Sequence, residues 1–249
     1  MKRLGVLLII VALMISFAPT SIAGEKNVLA DVRIRQAIAY AIDMDALVAS
    51  LMEGKAVAAN SLTPNGEWKV SGLNNYTYNP AKAKALLKAA GWNQNKVLDV
   101  VYYYGDQLTV DLMTAIQAYL GEVGIKMRFR KLEGDLASQL WTTPKDPVNG
   151  PSVVDWDLAY AAIAALTMHE YYNRFQGGAG SNSHTPAVPE LDKLITATNA
   201  TVDLDKQKAA FYKLQRYENE QLFNIPLYYQ QVFIYESDRI DRKSIPLWK

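Results

Sequence analysis

The sequence predicts an α/β fold, with a parallel strand pair in a mixed sheet that helices flank. Two observations predict this class. Residues 97–131 have the pattern of strand, helix and strand in succession, and amphipathic helical patterns lie on both sides of that unit. The chain has 249 residues, of which 50% are hydrophobic and 20% charged, a composition typical of a folded globular protein. This length suffices for one good core or for two small ones, and no repeat or linker divides the chain.

Composition excludes several functional classes. The chain has no cysteine, which removes disulfides, thiol nucleophiles and cysteine-ligated metals. It has 2 histidines, too few for a histidine-rich metal site. A formal net charge of +1 gives no electrostatic footprint for nucleic acid. We therefore expect no cofactor, no metal and no nucleic-acid partner.

The first residues predict an export signal. Lys2 and Arg3 precede an apolar run over 4–17, and small residues end the segment at Ala23. The alternative is an uncleaved membrane anchor, but the run is shorter than the roughly 20 residues that a spanning helix needs. We expect residues 1–23 to be a cleaved signal peptide, residues 24–249 to be the folded lobe, and the location to be the periplasm.

The first third of the chain predicts three helices and one long loop. Apolar residues within 34–42 recur at the spacing of an amphipathic helix. A second, short helix follows Asp43, whose carboxylate can cap it, and ends at Gly54. Residues 60–79 are rich in Asn, Gly, Pro and Ser and predict a loop. A third helix over 80–90 follows directly.

The centre of the chain predicts a βαβ unit. Residues 97–104 are β-branched and aromatic, and a helix begins at about Thr109 and ends at Gly124. In the next segment, 125–131, apolar residues alternate with basic ones, which indicates a half-buried strand. The two strands should be parallel, with a right-handed crossover.

The rest of the chain predicts two further strands and three helices around loops. In order, these are a short helix over 136–141, a loop over 144–151, a strand over 156–162, a flexible loop over 177–183, helices over 191–198 and 206–222, and a strand over 225–235.

Enzyme signatures are nearly absent. The sequence has no serine elbow, no phosphate-binding lysine motif and no dinucleotide-binding glycine pattern. His169 and Glu170 begin like a zinc-protease helix, but Asn173 stands where the second histidine is required. Asp155 and Asp157 could act as a carboxylate pair in a secreted hydrolase, although polar residues at the entry to a strand are the commoner explanation. We expect a protein that is not an enzyme.

The order of several segments is more informative than any single motif. The run over 31–43, DVRIRQAIAYAID, resembles a signature of the family 5 extracytoplasmic solute-binding proteins. Similar matches follow in order over 78–92, 116–126, 189–195 and 225–228. The resemblance covers about residues 28–240.

This resemblance implies a fold and a function. Members are receptors of ABC importers for peptides, dipeptides, nickel and some oligosaccharides, and they close two lobes around a solute. It implies a type II periplasmic binding protein fold, of which this chain matches the second lobe and its return strand. Residues 24–30 stand where the family has its large first lobe. We therefore expect exposed cleft surface and possible self-association.

The resemblance also bears on the solute. Peptide-binding members carry an aspartate after the strand that begins near Asp157, and it pairs with the ligand's amino group. Residues 161–167 contain no acid here, which disfavours free-amine peptides because a buried, unpaired ammonium is costly. Neutral solutes such as oligosaccharides, stacked on aromatic rings, become more plausible.

By position in the family lobe, six residues are expected to contact the solute. They are Tyr104, Trp141, Ala165, Thr167, His169 and Asn182. The first hypothesis is a solute-binding component that presents a peptide or oligosaccharide to an ABC permease in the inner membrane. The alternative is a truncated remnant or interaction module that no longer captures solute.

Overall fold

A computed structural model describes residues 27–143, 145–146, 153–180, 182, 187–231, 233 and 237. The expected signal peptide, residues 1–23, lies outside these ranges, as does most of the predicted loop over 144–151. Within the described ranges, no helix combines the length and the apolar character needed to cross a membrane.

Helices form most of the regular structure in the described residues. After a 3-10 turn at Val28–Ala30, they are α1 (Val32–Ala41), α2 (Met44–Leu51), α3 (Pro80–Ala90), α4 (Gln107–Glu122), α5 (Leu136–Leu140), α6 (Glu170–Asn173), α7 (Pro189–Ala197) and α8 (Leu204–Gln221). The strands are β1 (Ala56–Ala58), β2 (Val97–Tyr102), β3 (Lys126–Lys131), β4 (Leu158–Tyr160) and β5 (Tyr228–Gln230).

Capping residues set the helix ends where the sequence predicts them. The Asp43 side chain accepts a hydrogen bond from the backbone N–H of Ala46 and begins α2. Asn79 caps α3 in the same way through Lys82. Gly91 ends α3 with φ of 69°, a left-handed conformation that costs glycine least.

The central unit confirms the predicted parallel pairing. β2 and β3 lie parallel, with Val97 beside Lys126 and Tyr102 beside Lys131, and α4 connects them. β4 pairs with the other edge of β2, also in parallel, so that the strand order is β3–β2–β4. Because all three strands run the same way, their carboxyl ends meet at one edge of the sheet.

The main hydrophobic cluster, called the apolar core below, joins α1–α4 to one face of this sheet. Leu98 and Val100 of β2 point into it beside Met127 of β3. Leu112, on the buried stripe of α4, is fully enclosed. The predicted helical periodicity therefore corresponds to real burial.

The opposite face of the sheet is partly charged. Asp99 is buried and accepts hydrogen bonds from Nε of Arg128 over 3.1 Å and Nε of Arg130 over 3.0 Å. Asp157 accepts from the backbone N–H of Asp99 over 2.8 Å, and Asp155 pairs with Arg130 over 3.2 Å. The two acids considered for hydrolysis therefore brace the sheet at its strand entry.

The parallel and antiparallel pairings occur in two separate sheets. β1, which the sequence did not reveal, pairs antiparallel with β5 and sets Val57 beside Tyr229. Within the described part of the segment predicted over 225–235, only Tyr228–Gln230 is strand. Gln231 donates its backbone N–H to the carbonyl of Lys55 over 2.8 Å and extends this contact.

A second cluster, called the helical cluster below, is built from α6, α7 and α8. Its buried side chains are Tyr172, Leu191, Ile195, Phe211 and Leu214. The predicted loop over 60–79 packs against it. The short helix α6 was not predicted, since four residues are too few to show a helical period.

Candidate functional site

Tyrosine rings gather at the carboxyl edge of the three-stranded sheet. Tyr104 follows β2, its ring lies 4.3 Å from that of Tyr103, and their hydroxyls are 2.9 Å apart. Tyr160, at the end of β4, meets Tyr104 edge-on at 5.6 Å. The Tyr160 hydroxyl lies 2.6 Å from that of Tyr228. We call these four residues the tyrosine cluster.

The chain leaving β4, called the 161–167 segment, is held by side chains rather than by secondary structure. The hydroxyl of Tyr104 accepts the backbone N–H of Ala162 over 2.6 Å. Glu170 accepts the backbone N–H of Leu166 through Oε2 over 2.7 Å. Arg174 donates from Nη2 to the carbonyl of Ala164 over 3.4 Å. Two short hydrogen bonds and one longer contact thus hold a segment with no regular structure.

The segment presents apolar groups to solvent. Leu166 is 96% exposed, and Ala161, Ala162 and Ala164 are exposed as well. Exposed apolar side chains on a fixed backbone, beside aromatic rings, are typical of a ligand surface. Ala165 and Thr167, two of the expected contact residues, lie on this segment, and Ala165 is half-buried.

His169 faces inward. Its Nδ1 lies 2.8 Å from Oγ1 of Thr198, and that hydroxyl donates to the carbonyl of Ile195 over 2.7 Å. A hydroxyl has one hydrogen, so Nδ1 must be the donor to Thr198. The imidazole therefore connects α6 to the end of α7. No group of acidic or histidine side chains within the described residues could hold a metal ion.

Asn182 and Trp141 lie outside the tyrosine cluster. Asn182 is buried, and its amide donates to the carbonyl of Gln176 over 2.6 Å, which braces the preceding turn. Trp141 follows α5 with 40% of its surface exposed, and its ring joins no aromatic pair among the described residues. Of the six expected residues, the structure thus brings Tyr104, Ala165 and Thr167 into one region.

The glycine-rich turn that was expected to be a flexible loop is anchored at its start. Gly177 donates its backbone N–H to Oδ1 of Asp192 over 2.8 Å. A Cβ at this position would lie 2.7 Å from Oδ2 of the same side chain and 2.8 Å from Cβ of Ala187. Glycine is needed here for close approach to α7.

Several residues of this region escaped sequence analysis. Tyr103, Tyr160 and Tyr228 were read only as strand residues, although aromatic residues at strand ends were the available signal. Glu170 and Arg174 stand four residues apart, a spacing that places two side chains on one face of a helix. That spacing could have identified them.

The hydroxyls of Tyr103 and Tyr160 are neutral hydrogen-bonding groups. Burial, together with the hydrogen bond to Tyr104, raises the pKa of Tyr103 to about 12. Burial, then the hydrogen bond to Tyr228, raises the pKa of Tyr160 well above its usual range. Phenols with raised pKa values stay protonated near neutral pH, so they suit binding better than proton transfer.

Known proteins match this chain over part of their length. The family described as bacterial extracellular solute-binding proteins, family 5 Middle, matches residues 10–182. A putative ABC transporter peptide-binding protein of Brucella ovis is 36% identical over 100 residues, 39% of this chain and 19% of that protein. The oligopeptide-binding protein AppA of Bacillus subtilis is 24% identical over 226 residues, 83% of this chain and 40% of that protein.

The fold is shared with solved structures. The crystal structure of the ABC transporter substrate-binding protein CtaP from Listeria monocytogenes matches with a TM-score of 0.71 at 20% identity. The match covers 82% of this chain and 41% of that one. This likeness confirms the predicted α/β class of the fold. The family match spans more than half of the sequence, so the chain belongs to the bacterial extracellular solute-binding proteins of family 5.

Proposed function

We propose that this chain is the solute-binding component of an ABC importer and that it binds peptides outside the cytoplasm. The observation that carries the proposal is the 161–167 segment, whose exposed apolar side chains stand on a backbone held beside the tyrosine cluster. Relatives whose names describe peptide and oligopeptide binding support the choice of solute.

The site would work by binding alone. The 161–167 segment offers apolar surface, and its backbone is already ordered by Tyr104, Glu170 and Arg174. A preordered backbone lowers the entropy lost on binding. The hydroxyls of Tyr103 and Tyr104 supply hydrogen bonds, and the rings supply stacking area.

The proposal extends to export and partners. Residues 1–23 act as a cleaved signal, and residues 24–249 form the lobe that presents the solute to an inner-membrane permease. Leu166 and Trp141 leave apolar surface exposed, which a second copy or another chain would cover. Light scattering tests this part, and a monodisperse monomer would count against self-association.

Oligosaccharides are the second candidate solute. Two observations favour them, namely the absence of an acid in the 161–167 segment and the clustering of four tyrosine rings. If neither solute class binds, the chain is an interaction module that does not capture solute by itself.

Thermal unfolding of the purified chain tests the proposal. Peptides, oligosaccharides and chelated nickel are added separately, and we expect peptides to raise the melting temperature through linkage. A shift with oligosaccharides alone would favour the second candidate. A melting temperature that no ligand changes would contradict solute capture by this chain.

A matched pair of variants locates the binding site. Tyr104→Phe removes the hydroxyl that accepts from Ala162, and we expect about a fivefold to tenfold loss of peptide affinity by calorimetry. Tyr78→Phe removes a hydroxyl that contacts Glu122 elsewhere, and it should leave affinity unchanged. Equal losses in both variants would place the site elsewhere.

A further inference from the structure

Arg174 carries a charge that the described residues do not neutralise. Its Nη2 contacts the carbonyl of Ala164 over 3.4 Å, which is long for a hydrogen bond. Its Nε is buried and has no hydrogen-bond partner in the described structure. No carboxylate of the described residues forms an ion pair with this guanidinium.

The residue best placed to neutralise Arg174 is used for another contact. Glu170 stands four residues earlier, at the spacing where opposite charges on a helix usually pair. Its Oε2 instead accepts the backbone N–H of Leu166 over 2.7 Å. Both charged side chains therefore contact the 161–167 segment, and the positive charge of Arg174 remains available.

Arg174 and Tyr104 of the tyrosine cluster both contact the 161–167 segment, at Ala164 and Ala162. The pKa of Tyr103 is raised mainly by burial and by its contact with Tyr104, and the nearby charge of Arg174 acts in the opposite direction. Tyr103 in turn lies 2.9 Å from the hydroxyl of Tyr104, which holds Ala162. The guanidinium of Arg174 and the phenol of Tyr104 thus contact neighbouring positions of the same exposed segment.

A half-buried guanidinium without an anionic partner is energetically unfavourable, and a bound anion relieves that cost. The planar fork of N–H groups fits a carboxylate with two parallel hydrogen bonds. We propose that Arg174 anchors a carboxylate group of the solute, which places one end of a bound peptide beside the 161–167 segment. This inference rests on the proposed function and adds the charged group that the solute must carry.

The test compares alanine peptides of two to five residues with the same peptides as carboxy-terminal amides. Calorimetry on the full chain should show that the free acids bind at least about tenfold more tightly than the amides. Arg174→Gln should abolish this difference. Arg174→Lys, which keeps a charge but loses the planar fork, should keep part of it.

Arg216→Gln is the matched control. It removes the same charge from an exposed position of α8, outside the 161–167 segment and the tyrosine cluster, so the preference for free acids should persist. Melting temperatures of all three variants check that they fold. If Arg174→Gln fails to fold, the inference is still tested by comparing the binding of free acids and amides to the wild type and to Arg174→Lys.

Two outcomes overturn the inference in distinguishable ways. Equal binding of acids and amides by the wild type, or a preference that survives in Arg174→Gln, removes the role of Arg174 and leaves the proposed function standing. If no peptide of either kind binds, the proposed function fails and this inference fails with it.

Discussion

The apolar core and the helical cluster are stabilised by different kinds of contact. In the apolar core, hydrophobic side chains join α1–α4 to the sheet, and the buried polar or charged residues of those four helices are Arg35 and Thr109. Around the helical cluster, buried polar side chains are frequent, namely Ser61, Thr63, Thr198, Gln215, Glu218 and Asn219. Apolar packing supplies most of the stability, whereas satisfied polar contacts fix particular segments in place.

The polar contacts hold the long loop over 60–79. Gln215 of α8 accepts the backbone N–H of Val70 over 3.0 Å and donates to the carbonyl of Trp68 over 2.8 Å. The hydroxyl of Tyr172 lies 2.7 Å from that of Thr63. The loop has little regular structure of its own, and its conformation depends on these side chains.

The largest expected effect is in the apolar core. Leu112→Ala opens a cavity at a fully buried position and should lower the free energy of unfolding by about 2–5 kcal/mol. Urea unfolding measures the change. Leu108→Ala, at a 39% exposed position of the same helix, is the control and should cost under about 1 kcal/mol. Similar losses for both would mean that α4 is not packed as described.

An intermediate effect is expected where α8 holds the loop. Asn219 accepts from the backbone N–H of Asn74 and donates to the carbonyls of Asn60 and Asn74, each over 2.9 Å. Asn219→Ala should cost about 2–3 kcal/mol, because buried backbone groups lose their partners. Glu220→Ala, exposed on the next position, should change stability by under about 0.5 kcal/mol. A negligible loss for Asn219→Ala would show that polar contacts matter little here.

At acidic pH, we expect a substitution of Glu218 to change stability less than the two substitutions above. Its effect should depend on pH. Burial raises the pKa of Glu218 to about 8, against the hydrogen bonds from Asn224 and the charge of Arg35, which lower it. The folded state therefore favours the protonated carboxyl, so this stabilisation is present below pH 4.5 and is lost as pH rises through about 8.

Glu218→Gln should remove that dependence. The amide keeps an acceptor for Asn224, so we expect similar stability to the wild type near pH 4.5 and higher stability near pH 8. Melting temperatures of both proteins across this range test it. If the melting temperatures of the two proteins change with pH in the same way, Glu218 does not titrate as its burial requires.

The comparison also explains what the sequence could predict. The helical stripe of α4 and the alternation in β3 follow from local periodicity, and the structure confirms both. The contacts of Asn219 or Arg174 join residues far apart in the chain or depend on an irregular segment. No local pattern encodes those contacts. Tyr104 was predicted as a site residue from family position, and what it binds stays a prediction.

The pairing of β1 with β5 has a consequence for how the chain folds. β2, α4 and β3 form from neighbouring residues, so this unit can assemble early. Ala56 can instead pair only with Gln230, near the far end of the described chain. Closing so long a loop carries an entropic cost. A chain whose residue 230 has not yet emerged from the ribosome or the export machinery therefore cannot form this pairing. The two-stranded sheet makes the emergence of β5 a condition of the finished structure.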